Sequence, residues 1–339
     1  MKKITYRFSH SSTDYYFDHR VADLRSIVDK KNAVIITDEH VFGLHHSRFR
    51  GWNIIVLKAG EEYKIQATVD SIVEQLIALG ADRDTVLIGV GGGVVTDLTG
   101  YVASIYMRGL RFGFLPASLL AAVDASIGGK NGIDVDVYKN MVGTIRQPSF
   151  ILHDAGFLDT LPPEEWKNGF AEIIKHAAIL DARMFKELEE NSISSYQKNT
   201  AAISALIKRN VLLKTKLVQQ DEFEKGNRKL LNFGHTLGHA LENQYELSHG
   251  QAISIGMGFA CFLSKKKNGF SDGKRVVALL EQYGLPAYAS FDKRKVFEVL
   301  KMDKKRVRRE VSYVLLERIG KAVVHPVGLT EVKKILDQF

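Results

Sequence analysis

Short apolar runs and amphipathic stretches alternate over the first 150 residues. "NAVIITD" (32–38), "NIIVLKA" (53–59) and "TVLIGV" (85–90) are continuous apolar runs of strand length. "IQATVDSIVEQLIAL" (65–79) repeats its apolar positions with the 3.6 period of a helix. Strand–helix alternation of this kind predicts a parallel sheet of Rossmann-like type. After Pro162-Pro163 the character changes, and from 164 to about 300 the patterns are long and helical with few β-branched runs. Near the end, "VSYVLLER" and "AVVHPV" read as a small hairpin or edge strands. No repeat, low-complexity tract or flexible linker interrupts the chain. The expected architecture is an α/β N-terminal Rossmann-like domain over 1–160 and a mainly α-helical C-terminal domain over 161–339. Clefts between domains are common ligand sites.

The 339 residues, 45% hydrophobic and 25% charged, suit a soluble globular protein of about two domains. A single cysteine, Cys261, excludes an internal disulfide framework and fits a reducing compartment. The opening "MKKITYRFSHSS" has no apolar core of a signal peptide, and no run of 18 apolar residues occurs, so the expectation is a cytoplasmic protein with no membrane partner. The net charge of +8 raises the question of nucleic acid. Much of the excess lies in "KKKNG" (265–269) and "DKRKVFEVLKMDKKRVRRE" (292–310), runs that usually mark solvated helix faces. No helix-turn-helix, finger or aromatic-basic platform accompanies them, so an anionic small molecule is the better reading of the charge.

Two motifs carry chemistry. "LIGVGGGVVTDLTGY" places Gly89, Gly91, Gly92 and Gly93 between a strand and a helix. Glycines let a phosphate approach the backbone, and the helix N-terminus offers free N–H groups to a pyrophosphate. The match to G-x-G-x-x-G is imperfect, with Val94 in the last glycine position. Asp38, closing the first strand, suits either a ribose hydroxyl or a helix cap. The second motif, "GHTLGH" (234–239), sets His235 and His239 four residues apart, on one face of a helix. H-E-x-x-H would be a zinc protease signature, but Thr236 stands where its general base would be. A catalytic zinc site needs three protein ligands and an open position. "GFAEIIKHAA" adds Glu172 and His176, and "ELSHGQAISIGMG" adds His249. A carboxylate flanked by Phe170, Ala171, Ile173 and Ile174 is costly to bury unless paired or metal-bound. Spacing does not choose among Glu172, His176, His235, His239 and His249.

A family resemblance does choose. "GEEYK", "GGGVVTDLTGYVASIYMRG", "LPASLLAAVDASIGGKNGI", "YKNMVGTIRQP", "FLDTLP", "GFAEIIKH", "KLVQQDEFEKGNRKLLNFGHTLGHALE" and "HGQAISIGM" run in order from residue 60 to 257, with "DKK" at 303–305. Together they resemble the 3-dehydroquinate synthases. Three positions depart from the commoner pattern: Ala117-Ser118 in place of a Thr-Thr pair, Thr96 in place of a glycine, and Gln251 in place of a glutamate.

The resemblance implies a divalent metal, zinc or alternatively cobalt, on Glu172, His235 and His249, with His239 facing the substrate. It implies NAD bound across the cleft by Glu61, Glu62, Tyr63, Lys64, Ile65, Gln66, Gly93, Val94, Val95, Thr96, Asp97, Ala117, Ser118, Lys130, Lys139, Phe157, Leu158, Asp159 and Thr160. Asp38 joins these as a cofactor candidate from its position. The implied substrate is 3-deoxy-D-arabino-heptulosonate 7-phosphate. The matching residues around it are Arg108, Asp124, Lys130, Lys139, Asn140, Lys175, Lys214, Arg228, Asn232, His239 and a lysine of "DKK", Lys304 or Lys305. Lys130, Lys175, Lys214, Arg228, Asn232 and His239 are the implied catalytic set. Cationic forks suit a substrate with a phosphate and a carboxylate. The implied reaction is transient oxidation by NAD, β-elimination of phosphate, reduction, ring opening and aldol closure, in which the substrate phosphate serves as its own base. A homodimer is also implied. The rival readings are another sugar phosphate cyclase, a metal-dependent alcohol or glycerol dehydrogenase and, outside the enzymes, an NAD- or nucleic-acid-binding protein. "GGKNGI" and "KNMVGTIRQP" resemble the dehydroquinate branch more closely.

Overall fold

The computed structural model describes residues 3–136, 138–242, 244–302, 306–307 and 310–339. The chain forms two compact units, Met1–Glu165 with Thr200–Phe223, and Trp166–Asn199 with Glu224–Phe339.

In the first unit, β1 (Ile4–Arg7), β2 (Ser12–Tyr16), β3 (Ala33–Asp38), β4 (Asn53–Leu57), β5 (Val86–Gly91), β6 (Arg111–Pro116) and β9 (Phe150–Leu152) form one sheet. A separate hairpin pairs β7 (Lys130–Val135) with β8 (Tyr138–Ile145). The sheet order is β1-β2-β9-β6-β5-β3-β4, and every pairing except β1–β2 is parallel. The helices of this unit are α1 (Glu39–His45), α2 (Gln66–Ala78), α3 (Gly93–Ile105) and, from the second stretch of chain, α7 (Thr200–Gln220). The strand runs read from the sequence form β3, β4 and β5, and the 3.6-period stretch forms α2. A parallel strand buried on both faces needs apolar residues throughout, hence Val34, Ile35 and Ile36 in β3 and Leu87, Ile88 and Val90 in β5, all at 3% exposure or less. From β3 the chain steps to β4 on one side, then returns to lay β5 on the other. That reversal is a topological switch point, where open α/β sheets bind ligands at the strands' carboxyl ends.

The second unit holds α4 (Pro163–Leu180, from Trp166 onward), α5 (Ala182–Glu189), α6 (Ile193–Gln197), α8 (His235–Glu242), α9 (His249–Asn268), α10 (Gly273–Gln282), α11 (Lys293–Met302) and α12 (Leu329–Leu336), with a small antiparallel sheet. That sheet is β10 (Arg306–Val307), β11 (Glu310–Arg318) and β12 (Lys321–Gly328), so "VSYVLLER" and "AVVHPV" do pair as a hairpin. Leu237, Leu241, Ile255, Phe259 and Leu263 of α8 and α9 pack with Val311, Tyr313 and Leu315 of β11 in one core. Helix α8 approaches α9 backbone to backbone. A Cβ on Gly256 would stand 1.9 Å from the carbonyl oxygen of Gly234, and Gly234 itself has φ +80°. Only glycine permits both the contact and the left-handed turn that starts α8. Among the described residues, no helix is long and apolar enough to cross a membrane.

One buried histidine links the stability of the first unit to pH. His153, following β9, is 7% exposed and stacks on Phe17, ring centroids 5.1 Å apart. Neither ring nitrogen has a hydrogen-bond partner among the described residues. Burial pushes its pKa down to about 3. The folded state therefore holds His153 neutral, while the unfolded chain takes up a proton below its ordinary value of 6.5. Its contribution to stability is intact above pH 6.5 and is lost as pH falls toward 3. His153→Leu should gain about 2.7 kcal/mol on the wild type between pH 7.5 and pH 4.5, two units below 6.5 at ~1.36 kcal/mol per unit. Urea unfolding of both proteins at the two pH values measures this, and parallel pH profiles would reject it.

Candidate active site and metal centre

Helix α4 is buried on every side from Asn168 to Ile179, and Glu172 lies in its middle at 0% exposure. The carboxylate is matched by cations and imidazoles from three places in the sequence. Lys175, one turn along α4 and 1% exposed, forms an ion pair with Glu172 Oε2. Nε2 of His249 lies 3.0 Å and Nε2 of His235 3.4 Å from Glu172 Oε1. Burial alone would raise the Glu172 pKa, but Lys175 first, then the histidines, hold it well below the usual carboxylate range. Burial, then Lys175, push His235 down. His249 is raised against its burial by Glu172 and Glu242.

Local packing puts these groups in register. The Asn168 side chain, one turn before Glu172, accepts from the Gly250 N–H at 2.9 Å, pinning the start of α9 and thus His249 to α4. A Cβ on Gly250 would sit 2.9 Å from Asn168 Cα. Ser248 and Gln251 form a capping box at the same helix end, with the Ser248 N–H donating to Gln251 Oε1 at 3.0 Å. A glutamate at this capping-box position could accept the same hydrogen bond, so Gln251 preserves the helix start. The Gly234–Gly256 approach fixes His235 by the same logic.

Glu172, His235 and His249 bring three ligand atoms within 4.8 Å of one another. One carboxylate and two imidazoles make the open, catalytic type of donor set. The outer contacts support a cation. His235 Nδ1 lies 3.1 Å from the Phe233 carbonyl, and His249 Nδ1 faces Glu242 at 3.8 Å. Nδ1–H of His235 donating outward leaves its Nε2 lone pair toward the shared site, and the carboxylate behind His249 favours the same orientation there. His239 stands one turn beyond His235, its ring edge-on at 5.1 Å, and His176 is buried a turn beyond Glu172 on α4. Asn168, Glu242 and the Phe233 carbonyl escaped sequence reasoning. The glycine that follows His249 was the one signal of close packing there.

Asn232 donates to Glu224 Oε1 at 2.7 Å in the turn preceding α8, and Arg228 in that turn is buried at 2% exposure.

In the first unit, the segments expected to hold a cofactor lie at or after carboxyl ends of parallel strands, except Lys130 and Lys139. Asp38 ends β3, Glu61–Gln66 follow β4, Gly93–Asp97 follow β5, Ala117 and Ser118 follow β6, and Phe157–Thr160 follow β9. Helix α3 starts after Gly92 with no side-chain cap, so its first amides are left for an anion. The Thr96 hydroxyl donates to the Gly93 carbonyl at 2.9 Å, within its own helix. Ser118 Oγ accepts from Ala121 N at 3.1 Å. Asp38 caps α1 by accepting from Val41 N at 2.8 Å. Phe157 is core, at 1% exposure, and Thr160 bonds His45 Nε2 at 2.8 Å. Glu62, Ile65, Gln66 and Asp159 are exposed, and Tyr63, Gly93, Val94 and Asp97 are half-buried.

Lys64, only 4% exposed, pairs with Asp97 and donates to Asn140 Oδ1 at 2.7 Å, joining two cofactor segments to the β7–β8 hairpin. Lys130 and Lys139 lie on that hairpin. On α7, Lys214 is 6% exposed and pairs with Asp124 at 2.9 Å. Arg108 is not gathered with them. It is exposed just beyond the C-terminus of α3, whose 13 residues span about 20 Å from the glycine turn. Lys304 and Lys305 lie outside the described residues.

The fold has counterparts among known proteins. The fold is shared by enzymes that close sugar phosphates into carbocycles. A 2-epi-5-epi-valiolone synthase from Streptomyces hygroscopicus subsp. jinggangensis, with NAD+ and Zn2+ bound, superposes with TM-score 0.88 at 26% identity, covering 100% of this chain and 99% of that one. A 2-deoxy-scyllo-inosose synthase complexed with carbaglucose-6-phosphate, NAD+ and Co2+ gives 0.86 at 26%, covering 99% and 100%. Within that class the sequence is more specific. The N-terminal 3-dehydroquinate synthase profile matches residues 54–168 and the C-terminal one residues 169–306. The 3-dehydroquinate synthase of Campylobacter curvus is 37% identical over 98% of this chain and 99% of its own. The chain belongs to the 3-dehydroquinate synthase family.

Removal of a ligand should empty the metal centre. Glu172→Ala, His235→Ala and His249→Ala should each weaken Zn2+ retention by at least about tenfold, the loss that even an outer partner causes. His239→Ala should keep its metal. Metal content after dialysis against a chelator decides this, and a His239→Ala protein that cannot be reloaded would move that residue among the ligands.

Proposed function

We propose that the chain converts 3-deoxy-D-arabino-heptulosonate 7-phosphate to 3-dehydroquinate and phosphate, as a phosphate-eliminating carbon–oxygen lyase of the shikimate pathway. The observation that carries this reading is the buried Glu172 facing Nε2 of both His235 and His249, in a chain matched by both family profiles. Its reach to substrate and cofactors rests on the family and on the neighbours solved with NAD+ and Zn2+ or Co2+.

The residues present fit both groups. Glu172, His235 and His249 would hold the divalent cation, and the strand-end segments with the uncapped start of α3 would hold NAD. When bound, the cation supplies Lewis acidity toward a hydroxyl and the nicotinamide supplies reversible hydride acceptance. The side chains do the rest. Lys175 keeps Glu172 anionic. Buried Lys214 and Arg228, with Lys130 and Lys139, supply positive charge for the phosphate and carboxylate of the substrate. His239 and Asn232, on and just before α8, offer hydrogen bonds to its hydroxyls. Asn140 offers one from the hairpin, and Asp124 holds the Lys214 ammonium. Cofactor binding then falls to residues 1–160, and metal and most substrate contacts to 161–339, with Lys214 carried by the stretch of chain that folds with the first unit.

The same reading includes a homodimer in the cytoplasm. Support for the dimer is an apolar surface on the hairpin, where Val135, Tyr138, Met141, Val142 and Ile145 are 40–57% exposed. A single cysteine suits the reducing compartment.

Phosphate release tests the proposal. With the heptulosonate phosphate in excess over NAD, phosphate should accumulate while absorbance of reduced nicotinamide stays flat, because the hydride is returned. A stoichiometric rise of NADH would instead favour an alcohol dehydrogenase. Arg228→Ala and Lys214→Ala should lower kcat/KM about 10- to 150-fold, the worth of a desolvated charge-assisted contact. Exposed Lys265→Ala in matched salt should change it little. Equal small effects in all three would sink the assignment of the buried cations to the substrate.

A further inference from the structure

Three residues of the first unit close a ring of hydrogen bonds. The Asp134 N–H donates to the Lys64 carbonyl at 2.8 Å, Lys64 Nζ donates to Asn140 Oδ1 at 2.7 Å, and the Asn140 N–H donates to Asp134 Oδ1 at 2.6 Å. Lys64 and Asp134 are buried, while Asn140 lies at the surface. The β7–β8 register shifts between Ile133 and Val135, which releases the Asp134 amide from the hairpin ladder to meet Lys64.

The ring fixes two properties of Asn140. Its backbone is left-handed, with φ +55°. Asparagine visits that region more readily than most residues, but the conformation persists only where its surroundings impose it. Here the imposing contact is the short bond from the Asn140 N–H to the Asp134 carboxylate. The second property is which end of the amide faces outward. An ammonium can only donate, so the Asn140 oxygen must face Lys64, and the amide nitrogen with its two donors faces away. A donor pair suits the oxyanion-rich substrate. Lys64 is anchored in turn by Asp97, beside the uncapped start of α3.

We propose that Asp134 is a positioning residue. By holding the Asn140 backbone left-handed, while Lys64 keeps the amide nitrogen outward, it sets the contact of Asn140 with the sugar acid phosphate. This rests on the reading, given above, that Asn140 touches that substrate. Asp134 itself touches none.

The test uses D134A, D134N, N140A and the D134A/N140A double variant of the full chain, loaded with Zn2+ and NAD. D134A deletes the carboxylate and leaves the Asp134 backbone bond to Lys64. It should raise KM for the heptulosonate phosphate roughly 10- to 100-fold, with kcat changing less. NAD affinity by calorimetry and Tm should hold. D134N still presents an oxygen to the Asn140 N–H and should recover most of the loss. The double variant should be no worse than N140A alone, because Asp134 acts through Asn140. Additive losses in the double variant, or a D134A enzyme with wild-type KM beside an impaired N140A, would overturn the proposal alone. An N140A enzyme with unaltered KM would remove the reading on which it stands.

Discussion

A charge buried in an apolar helix governs this protein. Glu172 sits at zero exposure among Phe170, Ala171, Ile173 and Ile174. An isolated carboxylate there would cost many kcal/mol or take up a proton. It stays ionised because Lys175 arrives from the same helix and His235 and His249 arrive from two others. The second unit must therefore bring three helices into fixed register around one oxygen atom. The means are economical: a glycine-to-glycine backbone contact between α8 and α9, and one side-chain amide from α4 seated on the first turn of α9. Leucine and phenylalanine packing beneath these contacts supplies cohesion, while the glycines set the distance.

The first unit meets a different requirement by a different means. Its ligand-facing segments come from five strands, and each is tied separately. Asp38 caps its own helix, Thr96 bonds within α3, Ser118 holds Ala121, and Thr160 is held by His45. Lys64 is the exception, since it connects segments instead of securing one. The two departures at the cofactor turn are absorbed by this local anchoring. Thr96 and Ser118 both engage neighbouring backbone through their hydroxyls.

Legibility in the sequence followed burial. Strands β3 and β5, covered on both faces, announced themselves as apolar runs, and α2 by its period. The β7–β8 hairpin carries no such signal, because β8 is exposed along most of its length and its alternation has no buried face to serve. The membership of α7 in the first unit was equally hidden, since a 3.6 period reports an apolar face and not what covers it. At the metal centre, spacing supplied a list of five candidates, and family resemblance selected three. The geometry adds what neither contained: which ring nitrogen faces inward, and which acceptors behind the imidazoles hold it so. The same limit applies to Asp134, an ordinary acidic residue in a strand until the ring that it closes is seen.

The separate anchoring of the strand-end segments bears on the catalytic cycle. A dehydrogenase must release its nicotinamide after every turnover, so its binding loops profit from opening together. In the proposed reaction the cofactor finishes in the oxidation state in which it began, and only the sugar acid and phosphate must come and go. A platform of independently fastened loops can let one segment loosen for product while the others keep their grip. Such a platform suits a cofactor that stays while substrate and product exchange, with Lys64 fastening the β7–β8 hairpin to the turns that follow β4 and β5.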